Sequence, residues 1–116
     1  MLTLPPTVRV YVAAAPTDMR KSFDGLSLAA QALGHEPTSG HLFVFRNRRG
    51  NQVKILFWDR TGYCVLAKRL ARGTFYFGEM DSSTKEVLLD AAELALILEG
   101  IDLQSVKRRR RFRLAA

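Results

Sequence analysis

Apolar positions along this chain follow two periods, and the switches between them mark out the elements. Residues 8 to 13 read apolar with Arg9 and Tyr11 interleaved, a period of two that predicts a strand, and Pro16 and Thr17 break the run. The next segment, DMRKSFDGLSLAAQALG, spaces Met19, Phe23, Leu26, Ala30 and Leu33 by fours and threes. That spacing predicts a helix with Thr17 or Asp18 as its cap and Gly34 as its stop. Gly25 weakens its interior by about 1 kcal/mol relative to alanine, a cost that is either tolerated or explained by another backbone packing closely there. Arg20, Lys21 and Asp24 fall on the opposite side, a position that suits solvent or a site equally well.

Leu42 to Arg46 and Gln52 to Trp58 are apolar runs joined by Asn47-Arg48-Arg49-Gly50-Asn51, whose Asn and Gly residues supply the positive-φ positions of a hairpin. Asp59-Arg60-Thr61-Gly62 makes a second turn, and Tyr63 to Leu70 a third strand, so the middle of the chain reads as an antiparallel meander. Strand parity puts Val53, Ile55 and Phe57 on one face and Lys54, Leu56 and Trp58 on the other. Both faces are largely apolar. Helices are expected over one, and something else, such as a second subunit, over the other. Ser83-Thr84-Lys85-Glu86 then matches a capping box, and Val87, Leu88, Ala91, Leu94, Ala95 and Leu98 form the stripe of a second helix ending at Gly100. The expected fold is α+β: an antiparallel β-meander with an N-terminal strand and two main helices in one domain over residues 1–104. A flexible basic tail is expected over residues 105–116.

Length agrees with one domain: 116 residues at 47% hydrophobic content bury one ordinary core. Charge changes the picture more, because the net +7 is unevenly placed. The run KRRRRFR contributes six cations, Lys107, Arg108, Arg109, Arg110, Arg111 and Arg113, which leaves twelve cations against eleven acids in residues 1–106. Such a run repels itself and lacks an apolar stripe, so it is expected to be disordered or marginally helical when free. Residues 40–73 hold eight cations, Arg46, Arg48, Arg49, Lys54, Arg60, Lys68, Arg69 and Arg72, against the single acid Asp59. Residues 78–102 reverse this, with seven acids and only Lys85. A basic sheet region and a basic tail fit a polyanion, while the acidic segment fits basic protein partners or the chain's own tail. A solvated sheet face that keeps the protein soluble is the plainer alternative.

Candidate chemistry is sparse. Cys64 is the only cysteine, so no intramolecular disulfide can form, and with only His35 and His41 as histidines a structural zinc cage is not expected. No Gly-rich phosphate loop, nucleophile triad or metal-ligand spacing is present, and Asp24, Asp59, Asp81 and Glu93 lack the context of a carboxylate metal site. No catalytic residue, metal or cofactor is expected. The N-terminus MLTLPPTVRV does not read as a signal peptide, and the longest membrane-like stretch, Leu94 to Leu98, is far short of the ~20 residues that cross a bilayer. A cytoplasmic protein without membrane contact is expected. Trp58, Tyr63, Phe75, Tyr76 and Phe77 lie among cations and could receive unpaired bases, but core packing is the better explanation, with Trp58 mostly buried. The hairpin tip projects Arg48 and Arg49. Contacts there would go to phosphates, since no recognition helix for base edges is present.

DMRKSFDGL at 18–26 and GHLFVFRNRRGNQVKILFWDRTGYCVLAKRLARGTF at 40–75 together resemble the small TnpB accessory proteins of the IS-sixty-six group of bacterial insertion sequences. The features that carry the resemblance are the Asp18-Met19-Arg20-Lys21 start, Phe45 to Arg48, Lys54-Ile55-Leu56 with Trp58-Asp59, and Lys68-Arg69-Leu70 ahead of Gly73 and Phe75. It covers the globular body and stops short of the tail from Lys107. The resemblance implies a non-catalytic protein that works beside a larger transposase, and it transfers no active-site residue. The expected function is therefore an accessory factor of transposition that binds DNA, at element ends or non-specifically, or the transposase complex, with a homo-oligomer possible. Two rivals are a small basic endoribonuclease of the toxin type and a protein-only scaffold for the transposase.

Overall fold

The computed structural model describes residues 7–100. Its sheet is built from β1 (Arg9–Ala13), β2 (Leu42–Arg46), β3 (Gln52–Trp58), β4 (Tyr63–Arg69) and β5 (Glu86–Asp90), in the spatial order β4-β3-β2-β1-β5. Two helices, α1 (Phe23–Ala32) and α2 (Ala91–Leu98), complete the α+β fold. The meander is only part of it. β2, β3 and β4 are antiparallel neighbours, but β1 pairs with β2 in parallel, in the register Val10 with Leu42 and Val12 with Val44. Parallel neighbours need a crossover connection, and α1 supplies it.

Two sequence expectations for the helices are corrected. The stretch after Ser83 is not a helix from its start: Glu86–Asp90 is β5, antiparallel to β1, and the helix begins at Ala91. The functioning capping box lies seven residues after Ser83. The Asp90 carboxylate accepts from the Glu93 backbone N–H at 2.7 Å, and the Glu93 carboxylate accepts from the Asp90 N–H at 3.2 Å. Val87-Leu88-Leu89 suits either period, and the free edge of β1 decides for a strand. α1 also starts late, at Phe23 after Ser22. Asp18 forms a turn instead, with the Lys21 N–H donating to its carbonyl and its carboxylate held by Arg20. Gly25 is crowded by the Lys21 side chain rather than by a second backbone.

Period-two strands with apolar residues on both faces require two cores. One contains Tyr11, Ala13, Phe43, Phe45 and Leu56 beneath Leu26 and Ala30 of α1. The other contains Val10, Val12, Leu42, Val44, Val53 and Ile55 beneath Leu94, Ile97 and Leu98 of α2, joined by Phe75 and Phe77. The second cover is thus internal, from α2 and the irregular segment 75–77 that follows β4. Parity within β3 follows the expectation, with Val53, Ile55 and Phe57 toward α2 and Leu56 toward α1. Phe75 and Phe77 are core residues, whereas Trp58 is only partly buried, edge-to-face with Tyr63 at 5.1 Å. Among the described residues no helix is long and apolar enough to cross a membrane. The tail expectation for Lys107 to Arg113 lies outside the described residues.

Candidate polyanion interface at one end of the sheet

The β2–β3 connection is a rigid tip because its polar groups satisfy one another. The Asn47 N–H donates to the Gln52 carbonyl and the Gln52 N–H returns to Asn47 Oδ1, both at 3.1 Å. Asn47 Nδ2 donates to Asn51 Oδ1 at 2.7 Å, and Gly50 takes a left-handed conformation at φ 77° that a side chain would disfavour. No asparagine of the tip has positive φ; the glycine alone fills that role. Arg48 and Arg49 are left exposed at its apex.

Chain after β4 folds back onto this tip. The Leu70 N–H donates to the Asn51 carbonyl and the Phe75 N–H to the Gly50 carbonyl, each at 2.8 Å. The loop between them carries Arg72, also exposed, so Arg72 joins Arg48 and Arg49 at one end of the sheet. The end of β4 lies there too, with Arg69 opposite Gln52 and Lys68 opposite Val53. The N-terminal approach to α1 arrives at the same end, where the Thr17 N–H donates to the Arg46 carbonyl at 2.8 Å. It carries Arg20, ion-paired to Asp18 at 2.8 Å, and that guanidinium holds the Asp18 carboxyl down at about 2.

Three of the eight cations have intramolecular partners. Arg46 donates to the Ala14 carbonyl, Lys54 Nζ to the Lys21 carbonyl at 2.8 Å, and Lys68 Nζ to the Leu98 carbonyl at 2.5 Å. Cross-strand register also separates them: Arg46 and Lys68 accompany Val53 on the α2 face, while Lys54 and Arg69 lie on the α1 face. Arg46, Lys54 and Lys68 each tie a side chain to a backbone carbonyl of another segment, whereas Arg69 is exposed. Lys68 places a cation on a last-turn carbonyl of α2, where the helix dipole is negative. Arg60 is apart from all the others, in the turn at the far end of the β3–β4 ladder. The Lys107 to Arg113 run lies outside the described residues; the carbonyl that Lys68 holds belongs to Leu98, the last residue of α2.

Several other titratable groups have local partners. His35 stacks on Tyr11 at 3.8 Å and reaches Glu86 at 2.7 Å. His41 Nδ1 accepts the Arg9 N–H at 3.0 Å, and partial burial, with Arg9 and His35 nearby, lowers its pKa. Asp59 accepts from the backbone of Thr61 and Gly62 and from Cys64, which lowers its pKa; desolvation, with the Asp59 carboxylate beside it, raises that of the Cys64 thiol. Asp24, Asp59, Asp81 and Glu93 belong to four separate places in the fold. Among the described residues, no group of three His, Cys, Asp or Glu side chains could hold a metal ion. The arrangement offers exposed guanidinium groups on a rigid support, which is chemistry for holding anions.

With Arg48, Arg49 and Arg72 exposed at one end of a small two-faced α+β body, sequence comparison supplies the context. The chain belongs to the family described as IS66 Orf2 like protein, which it matches over residues 8–108. It is thereby an accessory protein associated with insertion sequences. Two proteins of Sinorhizobium fredii (strain NBRC 101917 / NGR234) are similar to it. Uncharacterized protein y4hO is 39% identical over 103 residues, 88% of each chain, and uncharacterized protein y4jC is 32% identical over 103 residues, 88% of this chain and 86% of its own. No solved structure matches.

Proposed function

We propose that this protein assists transposition by binding DNA through Arg48, Arg49 and Arg72, together with the cations from Lys107 to Arg113, alongside the transposase of the same element. The observation that carries this reading is convergence. The exposed Arg48, Arg49 and Arg72 and the C-terminal end of α2, the helix that precedes the basic run in the sequence, lie at the same end of the sheet. Arg46, Lys54 and Lys68 hold that end in shape, with Arg69 beside them, and Arg60 plays no part in the contact. Guanidinium groups on a turn and a loop, without a helix presented to a groove, meet phosphates rather than base edges, so the binding itself is weakly sequence-selective. Selectivity for element ends would then come from the transposase.

The test is a mobility-shift titration of the full chain against element-end and unrelated DNA of equal length, over a salt series, with and without the transposase. Both DNAs should bind with similar affinity, weakening steeply with salt. Truncation after residue 104 should lower the salt slope by about five units if its six cations each meet a phosphate, at about 0.9 per contact. Absence of DNA binding at low salt would overturn the reading. Salt-insensitive association with the transposase alone would favour the scaffold, and RNA cleavage lost on changing Arg48 would favour the endoribonuclease.

A further inference from the structure

β4 is an edge strand without the usual protection. Edge strands in soluble proteins are commonly short, bulged, interrupted by proline or charged along their length, because their outward N–H and C=O groups invite another strand. β4 spans seven residues, pairs with β3 along all of them without a bulge, contains no proline, and is uncharged from Tyr63 to Ala67. Tyr63, Cys64, Val65 and Leu66 are only partly buried. The other edge, β5, is shorter and carries Glu86 and Asp90 at its two ends.

The hydrogen bond from the Leu70 N–H to the Asn51 carbonyl fixes which groups of β4 are free. Backbone direction alternates along an antiparallel ladder, so Cys64, Leu66 and Lys68 turn their N–H and C=O toward β3. Tyr63, Val65, Ala67 and Arg69 turn theirs outward. Charge is arranged with equal regularity. The first end of β4 holds the Trp58–Tyr63 aromatic pair and the Asp59 carboxylate, whose turn also engages Cys64, and the last end holds Lys68 and Arg69.

We propose that β4 pairs antiparallel with β4 of a second copy of this chain about a two-fold axis through Leu66, making one continuous ten-stranded sheet. In this register Val65 exchanges its outward hydrogen bonds with the partner's Ala67, and Leu66 faces the partner's Leu66. Tyr63 meets the partner's Arg69 on the α1 face. Cys64, beside Asp59, meets the partner's Lys68 on the α2 face. The axis repeats each contact, so both cationic ends find an aromatic and a carboxylate, a self-complementary and closed arrangement. Pairing β5 with itself in full register would instead oppose Glu86 with the partner's Asp90, a repulsive pair. Arg48, Arg49 and Arg72 stay outside the seam, which makes this inference independent of the DNA-binding reading.

Solution mass tests it. By light scattering or sedimentation, the full chain should weigh twice 13.1 kDa. Ala67→Pro removes an outward N–H that takes no part in the β3–β4 ladder, a place where an edge strand tolerates proline. It should raise the dimer dissociation constant roughly 100-fold, because the axis removes that bond twice, and leave the circular dichroism spectrum unchanged. Should Ala67→Pro fail to fold, the charge reversal Arg69→Glu, on an exposed side chain, should also yield the single-chain mass. In a Cys64→Ser background, Leu66→Cys should oxidise to a covalent dimer under native conditions, since the two positions face each other across the axis. A monomer at every attainable concentration, a mass that grows beyond two chains, or a dimer indifferent to folded Ala67→Pro or Arg69→Glu would overturn the proposal.

Discussion

The two ends of the β2–β3–β4 ladder are built alike and equipped differently. At one end, Asn47 to Asn51 closes a turn around Gly50; at the other, Asp59 to Gly62 closes a turn around Arg60, which adopts φ 86° without being glycine. Side-chain amides stitch the first turn and leave both arginines at its apex exposed. The second turn is organised by a carboxylate that accepts from Thr61, Gly62 and Cys64. The first is reinforced by later chain, from Leu70 and Phe75, which adds Arg72 to it. Eight cations in one sequence block therefore do not make one basic surface: register and local partners sort them into those that hold the fold and those that can meet a partner.

The largest effect should come from removing the floor of the tip end. Phe45 is fully buried, one residue before Arg46. Phe45→Ala should cost about 3 to 5 kcal/mol, enough to unfold many domains of this size, as read by chemical denaturation. Asn47→Ala removes the acceptor for the Gln52 N–H and the donor to Asn51, and should cost about 1 to 3 kcal/mol while loosening Arg48 and Arg49. A loss as small as that of an exposed residue would mean that the amide network does not stiffen the tip.

The far end should respond to acid. Hydrogen bonds from the Thr61 backbone lower the folded pKa of Asp59 below 3.8, so its contribution to stability is present above the unfolded pKa and is lost as pH falls through the folded one. Asp59→Asn should flatten the fall of the melting temperature over that acidic window and leave it unchanged in shape near neutrality. A smaller effect is expected at Arg60. Replacing it by glycine relieves about 1 kcal/mol of left-handed strain and loses a similar amount through the freer unfolded chain, so stability should change by less than about 0.5 kcal/mol. A large loss would show that the Arg60 side chain anchors its turn.

The hairpins were legible because glycine, asparagine and aspartate at the turns punctuate period-two runs, and both turns fall where those residues stand. The parallel β1–β2 pair was not, since the short strand before α1 carries no mark of its neighbour. Val87 to Leu98 satisfied a helical stripe as well as it satisfied a strand followed by a helix, and only pairing with β1 separates the two readings. The candidate site was half legible. Composition located the cations, but a lysine on a strand gives no sign that its ammonium group will reach the carbonyl of Lys21 or Leu98. Trp58 was read as mostly buried from its apolar neighbours. Its place at the last pair of the β3–β4 ladder, edge-to-face with Tyr63, leaves it partly open.

The most direct test of the contrast between the two ends is DNA affinity across a salt series for the parent, the double variant Arg48→Ala with Arg49→Ala, and Arg60→Ala. All three should melt alike, since exposed turn charges contribute little to stability. The double variant should bind element-end and random DNA more weakly by the same factor, with its salt slope reduced by about two units, while Arg60→Ala should match the parent. Equal affinities and slopes for all three proteins, or a loss confined to Arg60→Ala, would contradict the assignment of the polyanion contact to the tip end.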